Sequence, residues 1–232
     1  MGLPRTYLFV PGDRPERFDK AAAAGAGQVI VDLEDAVAPE SKAAAREALA
    51  GWLATPRPVA VRINGADTPW FEDDMALCRD LRVGTVMPAK ATTDSLRRLA
   101  ECLPGCALLP LVETAEAMAT VQAIAASRGV QRLVFGSIDF QADLGIEGDD
   151  DALLAFRSEL VLASRLGQLQ HQVEHAVGRG TVEVAGGFIG QQAGRLGHQG
   201  AGDRHPLALA TRELGRPVVQ ALAQTHAGEP LG

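Results

Sequence analysis

The stretch 28–46, QVIVDLEDAVAPESKAAAR, sets the reading of the fold. Val29-Ile30-Val31 is a short β-branched run of the kind a strand buried on both faces requires. Three acids follow at once: Asp32, Glu34 and Asp35. Pro39 then opens a helix that places Ala45, Ala48, Leu49, Trp52 and Leu53 on one face. A buried strand ending in acids ahead of a covering helix is one βα unit of a parallel sheet, and such sheets keep their chemistry at the strands' carboxyl ends. Within this unit alone, the acids would serve equally well to cap the next helix.

The rest of the chain repeats the unit. Strands are expected over 7–10, 29–33, 59–63, 85–87, 108–112 and 133–135. Helices are expected from Pro15 to Gly25, from Thr68-Pro69 through Asp80, over 92–102, after Thr114, and over 150–166. Strands alternating with helices about 25 residues apart indicate a (β/α)8 barrel or an open doubly wound sheet. From the second strand on, each ends in or precedes a charged side chain: Glu34 and Asp35, Arg62, Lys90, Glu113, Asp139. Each has a structural use of its own, but the whole series at matching strand ends points to one shared face. Two or three carboxylates suit a hard divalent cation that keeps water and substrate oxygens, and a nearby arginine suits a substrate carboxylate.

Composition narrows the function. The 232 residues carry a formal net charge of −7, which argues against nucleic acid as the main partner. The apolar runs are too short for a membrane span and the start lacks a secretory pattern. The three cysteines form no CxxC, so a reducing cytoplasm is the expectation.

Taken together, LFVPGDRPERFDKA (8–21), VDLEDAV (31–37), VRING (61–65), TPWFEDD (68–74), MPAK (87–90), LVETAEAM (111–118) and FGSIDFQADLG (135–145) closely resemble the citrate lyase β-subunit-like branch of the HpcH/HpaI aldolase superfamily. The resemblance runs in order from about Arg5 to Leu166. It implies a TIM-type (β/α)8 barrel, Mg²⁺, and aldol-type cleavage of a citryl-, malyl- or citramalyl-CoA thioester into an acyl-CoA and a keto acid. It further implies Glu113 and Asp139 as metal ligands, with Glu113 also facing substrate. Arg62 would grip the keto-acid end, Glu34 and Asp35 would line the same pocket, and Asp35 would be the nearest general base. Arg17 and Lys20 are the residues for the CoA phosphates, and a homo-oligomer, trimer or hexamer, is the implied assembly. Lys90 is read as a supporting or surface lysine.

After Leu166 the resemblance is expected to stop. Residues 1–166 form the barrel portion and 167–232 an atypical Gly/Gln/His tail, with strands 7 and 8 missing or replaced. All five histidines fall in that tail and no lysine does, a change that suggests a shifted reading frame or a replaced C-terminus. A strand over 181–184 and a helix over 207–223 are the elements expected there. His171 and His175, four apart, would face one way on a helix, but without a third ligand in pattern they read as solvated. Two further readings stand beside the lyase. One is a non-catalytic remnant that keeps metal and keto-acid binding; the other is a metal-dependent aldolase acting on free keto acids.

Overall fold

A computed structural model describes residues 4–147, 150–178 and 219–220. The elements alternate as the sequence pattern requires. Strands β1 (Tyr7–Pro11), β2 (Gln28–Asp32), β3 (Val59–Ile63), β4 (Thr85–Pro88) and β5 (Ala107–Leu108) pair in chain order, all parallel. Strands β6 (Leu111–Val112), β7 (Val134–Phe135) and β8 (Val219–Gln220) form a second parallel group. The single strand expected over 108–112 is thus divided into β5 and β6. Pro110, with no N–H, accounts for the gap, while its carbonyl still accepts from Val134.

The helices are α1 (Phe18–Ala22), α2 (Lys42–Leu53), α3 (Phe71–Asp80), α4 (Thr93–Cys102), α5 (Ala115–Ala119), α6 (Val121–Ala126), α7 (Ser137–Leu144) and α8 (Leu154–Gly178). Thr92 caps α4 in a reciprocal box with Ser95, and Thr114 caps α5 through the Ala117 N–H. The helix after Thr114 breaks at Thr120 into α5 and α6. The last helix does not stop at Leu166 but continues to Gly178. Of the helix expected over 207–223, only Val219–Gln220 lie among the described residues, and they form a strand. Val219 is β-branched, which favours extended backbone. The strand expected over 181–184 lies outside the described residues, as do the side chains of His171 and His175, whose backbone belongs to α8.

Strand alternation divides the apolar residues into two cores. Val29, Val31, Val59, Val61 and Ile63 face the helices, against Phe18, Leu49, Phe71, Leu96 and Ile124. Ile30, Ala60, Met87, Leu109, Leu111 and Val134 face the other way and pack together, with Tyr7 and Phe9 against them. One small cluster drawing on β1, β2, β3, β4, β6 and β7, and on Leu109 just past β5, means that the sheet curves around it. Arg132, just before β7, donates to the Pro4 carbonyl (2.6 Å) and the Tyr7 hydroxyl (3.0 Å), which ties the start of β7 to the start of β1. Among the described residues no helix is long and apolar enough to cross a membrane.

Candidate active site

The same alternation decides which polar residues meet. Ile30 and Ala60 point into the inner cluster, so Asp32 and Arg62, two residues further on, point to the same side at the carboxyl ends of β2 and β3. Their register sets them opposite one another. By the same count Glu113 follows Leu111, and Gly136 follows Val134. The sequence thus delivers Asp32, Arg62, Glu113 and Gly136 to one end of the inner face.

Arg62 is the hub. Its Nε and Nη2 form a fork on Asp32, at 2.7 Å to Oδ1 and 2.6 Å to Oδ2. Nη1 lies 3.0 Å from Glu34 Oε2 and 3.4 Å from Asp35 Oδ2. The guanidinium stacks 5.3 Å from the centre of the Phe9 ring. Burial opposes its charge, but the Asp32 hydrogen bonds and the surrounding acids more than offset this and raise its pKa. Asp32 also accepts from the Glu34 and Ala36 N–H groups, so it shapes the turn that carries the other two acids. Glu34 is buried, and this pushes its carboxyl up to about 8, with Asp35 and Glu113 adding in the same direction. Asp35 is exposed at the mouth.

Glu113 and Asp139 stand on the other side of the mouth. Glu113 is 2 % exposed at the end of β6. Its Oε1 accepts the Lys90 main-chain N–H at 2.7 Å, whereas Oε2 is buried with no hydrogen-bond partner. Burial raises this carboxyl to about 7, and the charges of Asp139 and Asp35 reinforce the shift. Asp139, in the first turn of α7, lies close enough to interact with Glu113, and its own pKa is raised by burial and by Asp35. Gly136 permits this approach, since a Cβ there would come within 2.8 Å of both Glu113 Cβ and Oε2. Lys90 holds its N–H in place with a left-handed φ of 45°, a conformation costly for a residue with a side chain. Its side chain is exposed, so its contribution here is its backbone.

The donor set fits a hard divalent cation. An orphaned buried carboxylate oxygen beside a second carboxylate, each ionised only against burial and the other's charge, is relieved by a bound positive ion. Among the described residues no cluster of three or more His, Cys, Asp or Glu side chains forms a metal site. Two carboxylates leave most positions of an octahedral ion to water and substrate oxygens, the habit of Mg²⁺.

Two residues that sequence reasoning passed over hold the strand ends in place. Lys42, in the first turn of α2, is buried. Its Nζ donates to the Leu33 carbonyl (2.7 Å), the Glu34 carbonyl (2.8 Å) and Asn64 Oδ1 (2.8 Å). Asn64 in turn donates to Leu33 O and Asp74 Oδ2, and Asp74 is paired with Arg46 at 3.1 Å. The one available signal was Asn64 directly after Arg62-Ile63, a polar residue where a buried strand should end. Arg17 and Lys20, by contrast, are exposed beyond β1, and neither contacts the Arg62 cluster.

Residues 5–193 match the family model described as HpcH/HpaI aldolase/citrate lyase, a match that continues beyond Leu166. A citrate lyase subunit beta-like protein of Mycobacterium tuberculosis is 37% identical over 177 residues, covering 73% of this chain and 63% of the relative. An L-malyl-CoA/beta-methylmalyl-CoA lyase of Cereibacter sphaeroides is 36% identical over 162 residues, covering 62% of this chain and 51% of the relative. The chain therefore spans about half to two thirds of the length of these relatives. Among solved structures, a citrate lyase beta subunit from M. tuberculosis complexed with oxaloacetate and magnesium superposes with a TM-score of 0.62 at 34% identity. That superposition covers 75% of this chain and 87% of the other.

Proposed function

The chain belongs to the HpcH/HpaI aldolase/citrate lyase family, and from that premise we propose that it is a Mg²⁺-dependent carbon–carbon lyase cleaving a 3-hydroxy-acyl-CoA of the citryl, malyl or citramalyl type. The observation that carries the proposal is the convergence at one strand-end face of a carboxylate-gripping arginine with two carboxylates, one holding an unpartnered buried oxygen. In this reading Glu113 and Asp139 hold Mg²⁺, and Arg62 receives the keto-acid carboxylate on its Nη1 edge.

The reaction removes the proton of the β-hydroxyl as the carbon–carbon bond breaks. The oxygen becomes a keto-acid carbonyl, and the bonding pair moves to the thioester α-carbon as an enolate, which takes up a proton to leave the acyl-CoA. A bound Mg²⁺ supplies positive charge to the substrate's hydroxyl and carboxylate oxygens and so lowers the hydroxyl's pKa. Arg62, held rigid by Asp32, keeps a permanent charge beside the emerging carbonyl at no cost in reorganisation. Asp35, exposed at the mouth and 3.4 Å from Nη1, is the group assigned to take the hydroxyl proton. Glu34 carries a proton near neutrality in the metal-free site, which suits a donor rather than an acceptor. Arg17 and Lys20 are proposed for the CoA phosphates, within a (β/α)8 barrel completed in a homo-oligomer.

The second reading, a binder of metal and keto acid without turnover, is favoured by where Arg17 and Lys20 stand, exposed beyond β1 and out of contact with the Arg62 cluster. Two measurements separate them. Calorimetry should find oxaloacetate binding that requires Mg²⁺ under either reading. Chromatography of citryl-, malyl- and citramalyl-CoA after incubation then decides: acyl-CoA plus keto acid supports the lyase, and unchanged thioester supports the binder. Binding of oxaloacetate that ignores Mg²⁺ sinks both.

A further inference from the structure

We propose that Lys42 is a positioning residue for the carboxylate-gripping half of the site, fixing where Glu34 stands relative to Arg62; the inference rests on the keto-acid reading above. A buried ammonium is expensive unless all its donors are used. Here all three are, by acceptors that belong to two different strand ends. Two of them are consecutive carbonyls, Leu33 and Glu34. Successive carbonyls of a strand point in opposite directions, so one ammonium can take both only where the chain turns. That turn is the one that aims Glu34 Oε2 at Arg62 Nη1, 3.0 Å away.

The third acceptor, Asn64, lies two residues beyond Arg62 and also reaches Leu33 O at 2.9 Å. Lys42 and Asn64 together therefore set the distance between the ends of β2 and β3. Arg46, one helical turn beyond Lys42 on α2, secures Asp74 behind Asn64. The Trp70 ring lies 5.0 Å from Nζ on the remaining side. Among the described residues, Lys42 makes its hydrogen bonds and ring contact with Leu33, Glu34, Asn64 and Trp70 and none with Glu113 or Asp139, which stand at the end of β6 and on α7. A lysine serving stability alone would act on the whole fold; this one acts on one half of a site.

The test exploits that division. Mg²⁺ affinity, and oxaloacetate affinity at saturating Mg²⁺, are measured by calorimetry on the full chain and on Lys42→Met, Asn64→Ala and Leu49→Ala. Leu49→Ala is the control, a buried α2 residue outside the site whose truncation lowers the melting temperature. Lys42→Met is expected to keep Mg²⁺ affinity within about twofold while oxaloacetate binds about tenfold or more weakly. Asn64→Ala should show the same split, and Leu49→Ala neither loss. Unchanged oxaloacetate affinity in Lys42→Met, or a parallel loss of both ligands, overturns the proposal. Should Lys42→Met not fold, Asn64→Ala decides by the same criterion. A wild-type chain that takes Mg²⁺ but no oxaloacetate overturns the keto-acid reading and this inference with it, an outcome distinct from wild type and Lys42→Met binding equally well.

Discussion

Arg62 answers to three acids and a ring, and the allocation of its donors defines what it can still bind. Its bidentate edge is spent on Asp32, so in the proposed reading a substrate carboxylate meets Nη1, beside Glu34 at 3.0 Å and in place of the exposed Asp35 at 3.4 Å. Arg62→Lys keeps the charge but cannot hold Asp32 with two donors and also reach the mouth. Oxaloacetate affinity should fall by about 1–3 kcal/mol by calorimetry, and an unchanged affinity would make Arg62 purely structural. The two buried acids give a pH signature. Glu34 and Glu113 rise from 4.5 to about 8 and about 7 on folding, so between those values the folded chain binds more protons than the unfolded one. Metal-free stability should therefore be highest at the acid end of that window and decline as pH rises through it. Mg²⁺ competes with the proton on Glu113, so its stabilisation should be larger near pH 8 than near pH 5.5. Melting curves with and without Mg²⁺ check this, and a pH-independent Mg²⁺ effect would exclude Glu113 as the ligand.

The strand ends show what a single chain lets a reader foresee. A β-branched run ending in DLED, a VRIN and an LVET announce buried parallel strands with chemistry at their exits, and period-two counting then brings Asp32, Arg62 and Glu113 to one side. What the pattern hides is pairing between elements. Asp32 read as one acid among three until the β2–β3 register set it against Arg62, and Lys42 stood unmarked because local sequence does not report which helix turn a strand end will meet. Lys90 was visible as a charge, but it contributes an N–H. Gly136 tests the same level of organisation. Its φ of −85° is open to any residue, so Gly136→Ala adds no backbone strain, only a methyl 2.8 Å from Glu113 Oε2. Mg²⁺ affinity should drop by more than about tenfold at a stability cost of about 1–3 kcal/mol. A full-affinity Gly136→Ala protein in calorimetric titration would mean that Glu113 has room to turn away from Asp139.

At the scale of the molecule, binding and turnover ask for different amounts of structure. The groups proposed for metal and keto acid come from the ends of β2, β3 and β6 and the first turn of α7, all before Leu144, and the network behind them draws on α2 and α3. Mg²⁺-dependent keto-acid binding needs little more than this. Cleavage needs the thioester held against that face, and positioning of this kind is worth about 7–11 kcal/mol of barrier. The family-like motifs read in the sequence end at Leu166, yet α8 continues to Gly178, and Gly167 is part of its packing: a Cβ there would lie 2.5 Å from the Ala125 carbonyl oxygen. A graft of a family-type C-terminus therefore belongs after Gly167 rather than before it. The expectation is that the 232-residue chain binds oxaloacetate with Mg²⁺ but cleaves citryl-, malyl- or citramalyl-CoA very slowly, and that the graft restores cleavage without changing oxaloacetate affinity. Single-turnover assays on both proteins decide it. Ordinary enzymatic rates from the chain as it stands would show that residues 168–232 complete the thioester site, whereas a graft that stays inactive with binding intact would place the missing function inside the first 167 residues.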